Sequence, residues 1–269
     1  MNYRHGYHAG NFADVVKHIA LVAILLHLRK KDTAFSVVDS HGGRGAYDLS
    51  GEQAARTDEA RNGVARLTNL SGEMPEALFT YLSLVRESRL YPGSPLIAAR
   101  LLRPQDRLTA VEKHPEEFAA LKDVLSPFRN SSAEKGDGFS RTIKLLPPPS
   151  RRGLVLLDPP FESPDDFSNL ARTLCDGYRK FATGVYLAWY PIKSQAEADG
   201  FIGEVLAAGM AKAMVIDACV PALEGKLGRA GLLVINPPYG FEAAMKASVA
   251  LIAPKLEARI GTDWIAGSE

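Results

Sequence analysis

The hydrophobic positions of this chain fall into short runs, and polar stretches with helical texture separate them. The first strong run, IALVAILLHL at 19–28, lies inside 12–31, a segment without Pro or Gly and rich in Ala, Leu and Val. That pattern predicts a helix with a basic last turn, which complements the helix dipole. Residues 34–39, AFSVVD, read as a strand entering the glycine-rich turn Ser40-His41-Gly42-Gly43-Arg44-Gly45. Residues 50–90 change texture: helix formers alternate with caps, and two or three helices without a strand are expected. Beyond them strands and helices alternate. Strands are expected at 107–111, 131–136, 153–157, 183–190, 211–219 and 231–236, with helices at 115–126, 139–145, 165–180 and 195–208. This alternation predicts an α/β fold, a mostly parallel seven-stranded sheet with helices on both faces. The link 220–230 shows no helical period, so a hairpin is expected there and the last strand should be antiparallel. The main domain then comprises 1–49 and 92–269, and 50–91 is an inserted helical subdomain.

Two of the strand ends resemble each other. Residues 154–162 read LVLLDPPFE, and 232–240 read LLVINPPYG. Strand direction separates them. The strand 153–157 is reached by helical crossovers, so its carboxyl end should open on the crevice shared by the parallel strands. The strand 231–236 should run the other way and carry Asn236-Pro237-Pro238-Tyr239 away from that crevice. There the prolines would stop the strand and Tyr239 would pack against a helix.

Composition changes this picture little. The chain has 269 residues, 46% of them apolar, and 32 Lys and Arg balance 31 Asp and Glu to leave a net charge of +1. No global charge favours a polyanion, so any nucleic-acid surface must be a local patch. Arg29-Lys30-Lys31, Arg151-Arg152 and Arg179-Lys180 are the basic groups that could form one. Arg151-Arg152 stands at the amino end of its strand, away from the reaction face. The insertion adds Arg56, Arg61, Arg66, Arg86 and Arg89. The apolar run 19–28 is about half the length a bilayer span needs. Arg29-Lys30-Lys31-Asp32 follows it in place of a cleavage site. A cytoplasmic protein with a buried helix is expected, and nothing calls for a membrane or a second copy, so a monomer is expected. Cys175 and Cys219 suggest no disulfide framework, and neither they nor the six histidines have metal spacing.

The chemistry concentrates at strand ends. A glycine-rich turn after a first strand lets a cofactor approach the backbone around Gly43. Glu112 and Asp137 each follow a short strand, where they could hold ribose hydroxyls and an adenine amino group. Asp158-Pro159-Pro160-Phe161 suits an exocyclic amine of a nucleobase. The lone pair of such a nitrogen is delocalised into the ring. A carboxylate and a backbone carbonyl can accept its two protons and favour a pyramidal nitrogen. Pro159 supplies a carbonyl in fixed geometry, and Phe161 could stack on the base.

The order of these motifs resembles the class I S-adenosylmethionine-dependent methyltransferases, and the Asp-Pro-Pro-Phe tetrad resembles their amino-methylating branch. More narrowly, YRHGYHAGNFADVVKH (3–18), DSHGGRG (39–45), YPGSPLIA (91–98), EKHP (112–115), KGDGF (135–139) and DPPF (158–161) resemble the RlmJ family, whose members methylate adenine N6 in 23S ribosomal RNA. The likeness runs from Tyr3 to beyond Asn236. It implies a Rossmann-like fold, S-adenosyl-L-methionine as cofactor, 23S rRNA as partner and no metal. Residue by residue, it implies that His18 and His41, with Ser94 beside them, contact the methionine part of the cofactor. Glu112 would hold the ribose, Asp137 and Gly138 the adenine, Asp158 would face the target amine and Tyr3 would position the base. Lys17 beside His18 makes a cationic pair suited to a ligand carboxylate. His41 departs from the wider methyltransferase pattern by standing where a first glycine is usual. Arg44 is large for the loop: pointing outward it is harmless, pointing inward it would fill the cofactor's space. Two rival readings use the same residues, an amino-group methyltransferase acting on DNA adenine or a protein amide, and a non-catalytic nucleic-acid-binding protein for DNA uptake or utilisation.

Overall fold

The computed structural model describes residues 8–50, 58–221 and 227–268. Helix α1 (Phe12–Arg29) starts at Asn11, whose side chain accepts a hydrogen bond from the Asp14 N–H. It is buried over nearly its whole length and circumference. Its apolar residues are not confined to one stripe, which is what a helix covered on every side requires.

The strands are β1 (Ser36–Asp39), β2 (Ala46–Tyr47), β3 (Tyr91–Pro92), β4 (Arg107–Glu112), β5 (Ser131–Lys135), β6 (Gly153–Leu157), β7 (Val185–Pro191), β8 (Ala213–Cys219), β9 (Arg229–Ile235) and β10 (Arg259–Ala266). β2 and β3 pair only with each other. The remaining eight form one sheet in the order β10-β8-β9-β7-β6-β1-β4-β5. The run from β7 through β6, β1 and β4 to β5 is parallel. β9 lies antiparallel between β7 and β8, as its short connection to β8 requires. The strand expected to be antiparallel is therefore β9. The sheet also has an eighth strand that the hydrophobic pattern does not announce, β10, antiparallel on β8 at the edge. Its burial alternates only weakly, and the helix before it, Phe241–Leu256, carries an internal proline.

Side chains alternate across the central strands. Val37, Leu154 and Leu156 join α1 in one core; Val38, Val155 and Leu157 join the other, with Leu170, Leu174 and Phe201. β1 and β6 are buried along their entire length, as a parallel sheet covered on both faces must be. Between β2 and β3 come a short helix (Glu59–Asn62), a 3-10 turn (Val64–Leu67) and a longer helix (Glu76–Arg86). Leu78, Tyr81 and Leu82 on the longer helix are fully buried in the same core as α1. No helix among the described residues is long and apolar enough to cross a membrane.

Candidate active site

A cavity of about 330 Å³ opens at the carboxyl ends of β1, β4, β5 and β6. This is where an open α/β sheet places its ligand crevice. His41, Gly42 and Gly43 enter it from the turn after β1, Glu112 and His114 from β4, and Asp137, Gly138 and Phe139 from β5. Asp158, Pro159 and Pro160 come from β6, Lys17 and His18 from α1, and Gly93 and Ser94 from the turn after β3.

The cofactor candidates are thus brought together. Glu112 Oε2 accepts the Gly43 N–H at 2.9 Å, and its Oε1 accepts the His114 N–H at 2.7 Å. Burial nonetheless raises its pKa above the usual carboxylate value. Gly43 has a φ of 56°, and a Cβ there would strike the Tyr47 hydroxyl, so the turn needs glycine on both counts. Asp137 caps the helix Gly138–Leu145 through the Ser140 N–H at 3.0 Å. Burial opposes its ionisation, but that bond and Lys113, 3.6 Å away, hold its pKa below the ordinary value. A Cβ on Gly138 would collide with the Ser40 carbonyl and the His41 ring. That contact packs the β5 turn directly onto the β1 turn. His18 is buried with Nδ1 2.9 Å from the Tyr91 hydroxyl. His41 is half-buried with Nδ1 2.6 Å from Ser40 Oγ, and burial lowers its pKa to about 4 despite Asp158 and Asp137 nearby. Arg44 does not line the cavity. Its guanidinium is held by Glu117 at 3.0 and 3.1 Å, so its bulk leaves the cofactor space open.

The wall that carries Asp158 is a buried ion cluster. Lys17 Nζ donates to Asp14 Oδ1 at 2.8 Å and to Asp158 Oδ2 at 2.5 Å. Asp14 Oδ2 accepts the Gly10 N–H at 2.9 Å. Lys17 and Asp14 are each 3% exposed and Asp158 is 14% exposed. Burial alone would favour the neutral amine, but the two carboxylates outweigh it and raise the lysine pKa above its ordinary value. The pairing of Lys17 with His18 as a cationic pair for a ligand carboxylate is therefore corrected, because this ammonium is already shared by two acids.

Two more expectations meet a different geometry. Pro159 lines the cavity and Phe161 does not. The left-handed φ of 51° at Phe161 turns the chain, and its ring packs edge-on against Phe167 and Trp189 at 4.7 and 5.6 Å. It braces the Pro-Pro turn from behind. Tyr239, expected to pack on a helix, is 81% exposed. Asn236 has a φ of 53° and donates to the Ala182 and Gly184 carbonyls, both at 2.8 Å, while its own N–H donates to the Lys212 carbonyl. Those carbonyls precede β7 and β8, so the second Pro-Pro turn lies at the end of the sheet opposite the cavity. Tyr3 lies outside the described residues.

Sequence reasoning passed over Asp14 and Asp39. Asp39, at the end of β1, is 1% exposed; its Oδ2 accepts from Ser94 Oγ at 2.7 Å, and its Oδ1 has no hydrogen-bond partner among the described residues. Burial lifts its pKa to about 7. The signal for Asp14 was present: Asp14 and Lys17 stand at i, i+3 in an otherwise apolar helix, where charges survive only when paired.

The family described as "RsmJ: Ribosomal RNA large subunit methyltransferase D, RlmJ" matches residues 32–266. The chain is 38% identical over 264 residues to "Ribosomal RNA large subunit methyltransferase J" of Escherichia coli (strain K12), covering 95% of this chain and 94% of that protein. It is also 38% identical to the protein of that name from Haemophilus influenzae, over 91% and 90% of the two chains. A crystal structure of a Legionella pneumophila protein superposes with a TM-score of 0.88 at 32% identity, over 97% of this chain and 99% of that one.

Proposed function

The chain belongs to the RlmJ family of large-subunit ribosomal RNA methyltransferases, and from that premise we propose that it methylates adenine N6 in 23S rRNA with S-adenosyl-L-methionine, using Asp158 as the residue that faces the amine. The observation that carries this reading is the position of Asp158-Pro159-Pro160 on the cavity wall beside Gly43, Glu112 and Asp137.

The residues present fit the cofactor. Asp39, buried behind Ser94 and accepting from its Oγ at 2.7 Å, would hold that hydroxyl at the methionine end of the cavity. His18, His41 and Ser94 line that end. Glu112 has acceptor capacity left beyond its two backbone bonds and would take the ribose hydroxyls. Asp137 and Gly138 would border the adenine. When bound, S-adenosylmethionine supplies a methyl group activated by a sulfonium. The target adenine would have to leave its stack to reach Asp158, and Tyr3 would help position it. Asp158 and the Pro159 carbonyl would accept the two amino hydrogens and turn the nitrogen lone pair toward the methyl group. The methyl group would leave the sulfonium as a neutral thioether departs, and Asp158 would hold the amino proton that the new N–C bond displaces. Lys17, itself held by Asp14, keeps that carboxylate in place, so alignment would contribute to the rate. An rRNA substrate supports a cytoplasmic location.

The test is tritiated cofactor with unmodified 23S rRNA, duplex DNA and ribosomal proteins in parallel. Label is expected in rRNA, as N6-methyladenine. Asp158→Ala should bind cofactor normally and lose at least about a hundredfold in turnover, with Asp158→Asn retaining more. Wild-type turnover in the Ala variant would overturn the assignment. Label in DNA or protein alone would favour the other amino-group readings, and label in none of the three the non-catalytic one.

A further inference from the structure

The end of the molecule opposite the cavity carries a cationic surface that the reaction does not use. Arg103 and Arg152 lie over the Phe35 ring, 5.5 and 5.8 Å from its centroid. They clamp the turn after α1: Arg103 donates to the Lys31 and Thr33 carbonyls at 2.7 and 3.2 Å, and Arg152 donates to Thr33 and Leu28 at 2.9 and 2.5 Å. The clamp fixes Lys30 and Lys31 on one side and Arg151 on the other, all exposed. None of these three makes an ion pair among the described residues. The acids close by are mostly engaged, Asp106 by Arg103 at 2.8 Å and Glu242 by Lys246 at 2.6 Å; Asp32 is exposed in the turn. Tyr239 joins this surface. It follows the Asn236 turn, which is tied to the Gly184 and Lys212 carbonyls at this same end of the sheet; its backbone lies against His27 in the last turn of α1, and its own ring is 81% exposed. An exposed aromatic ring beside unpaired cations is the arrangement that stacks one base and neutralises the phosphates next to it.

We propose that Lys30, Lys31, Arg151 and Tyr239 form a second RNA-binding surface, which grips an unpaired segment of the substrate RNA remote from the methylated base. Lys17 lines the cavity and Lys30 ends the same helix, so the two sites are separated by about 20 Å at the rise of an α-helix. The two surfaces lie at opposite ends of the sheet, so a hairpin of only a few base pairs seated on the cavity would not wrap round to this one, whereas a large folded rRNA would engage both. The chain as a whole is nearly neutral, so this patch is what would make binding depend on salt. The proposal rests on the RNA-methylating reading above.

The test compares wild type with the triple variant K30Q/K31Q/R151Q and with Tyr239→Ala. The probes are protein-free full-length 23S rRNA and the shortest hairpin cut from it that the wild type still methylates. For the full-length RNA, each variant should bind about tenfold more weakly. The triple variant should also flatten the slope of log affinity against log salt by about two. Tyr239→Phe should restore binding. Affinity and kcat/KM for the hairpin should stay at wild-type values in every variant. Unchanged binding of full-length rRNA by the triple variant would overturn the proposal. So would a loss seen only when ribosomal proteins coat the RNA, which would make an acidic protein the occupant. A wild-type enzyme that methylates no RNA at all would instead refute the functional reading, a result distinct from either.

Discussion

Two buried residues at the cavity respond in opposite ways to the charges around them. Lys17 keeps its ammonium because Asp14 and Asp158 both accept from it. Lys17→Met should cost about 3 kcal/mol of stability, since it leaves Asp14 buried and uncompensated. Adding Asp14→Asn to that variant should recover part of the loss, as read by urea denaturation; a strictly additive further loss would contradict the cluster. The Ser94 bond and the Lys17 charge favour the Asp39 anion, but burial outweighs them and raises its pKa to about 7, above the ordinary value of about 3.9. Between those two pH values the folded protein keeps a proton that the unfolded chain releases. Stability from Asp39 is therefore fully present at acid pH and is lost as pH rises toward 7. Relative to wild type without cofactor, Asp39→Asn should grow progressively more stable from pH 4 to pH 7. A difference that stays flat across that range would remove the buried, protonated acid from the account.

Elements decide which of two nearly identical turns reaches the cavity. LVLLDPP and LLVINPP have the same local pattern, and both end strands in the centre of one sheet. β6 runs parallel to β1 and so brings Asp158 to the cavity. β9 runs antiparallel to β7 and brings Asn236 to the opposite end, where its amide ties the Ala182 and Gly184 carbonyls. Asn also tolerates the left-handed backbone found there better than most residues. Asn236→Ala should cost about 2 kcal/mol of stability from the two lost bonds and the strained φ. Turnover per folded molecule should stay at the wild-type level. A dead but folded Asn236→Ala enzyme would exchange the roles of the two turns. Strand direction was legible from the link 220–230 because it is too short for a crossover helix. The exposure of Tyr239 was not, because it depends on which helices reach that corner.

Across the whole molecule, the segment between β2 and β3 is less separable than its sequence texture suggests. Leu78, Tyr81 and Leu82 are fully buried against the core that includes α1, and Tyr81 stands 3.2 Å from Tyr91, which in turn contacts His18. Replacing residues 58–90 by a short linker should therefore yield protein without a cooperative thermal transition; a folded, cofactor-binding deletion product would show the segment to be an independent appendage. The fold class and the convergence of most candidate residues on one cavity were written locally. Alternating apolar runs with intervening helical periods dictate a parallel sheet, and the residues just after its strands, Gly43, Glu112, Asp137 and Asp158, must then meet at one crevice. Local pattern could not announce β10, whose half-exposed alternation acquires meaning only once β8 offers it an edge. Nor could it reveal that Phe161 faces Phe167 and Trp189, or that Lys17 is shared by Asp14 and Asp158. Periodicity and turn chemistry are properties of neighbours along the chain, so the sequence alone determines them. The partner of a buried charge or ring comes from distant segments, Asp158 lying 141 residues from Lys17, and only the packing of the tertiary structure selects it.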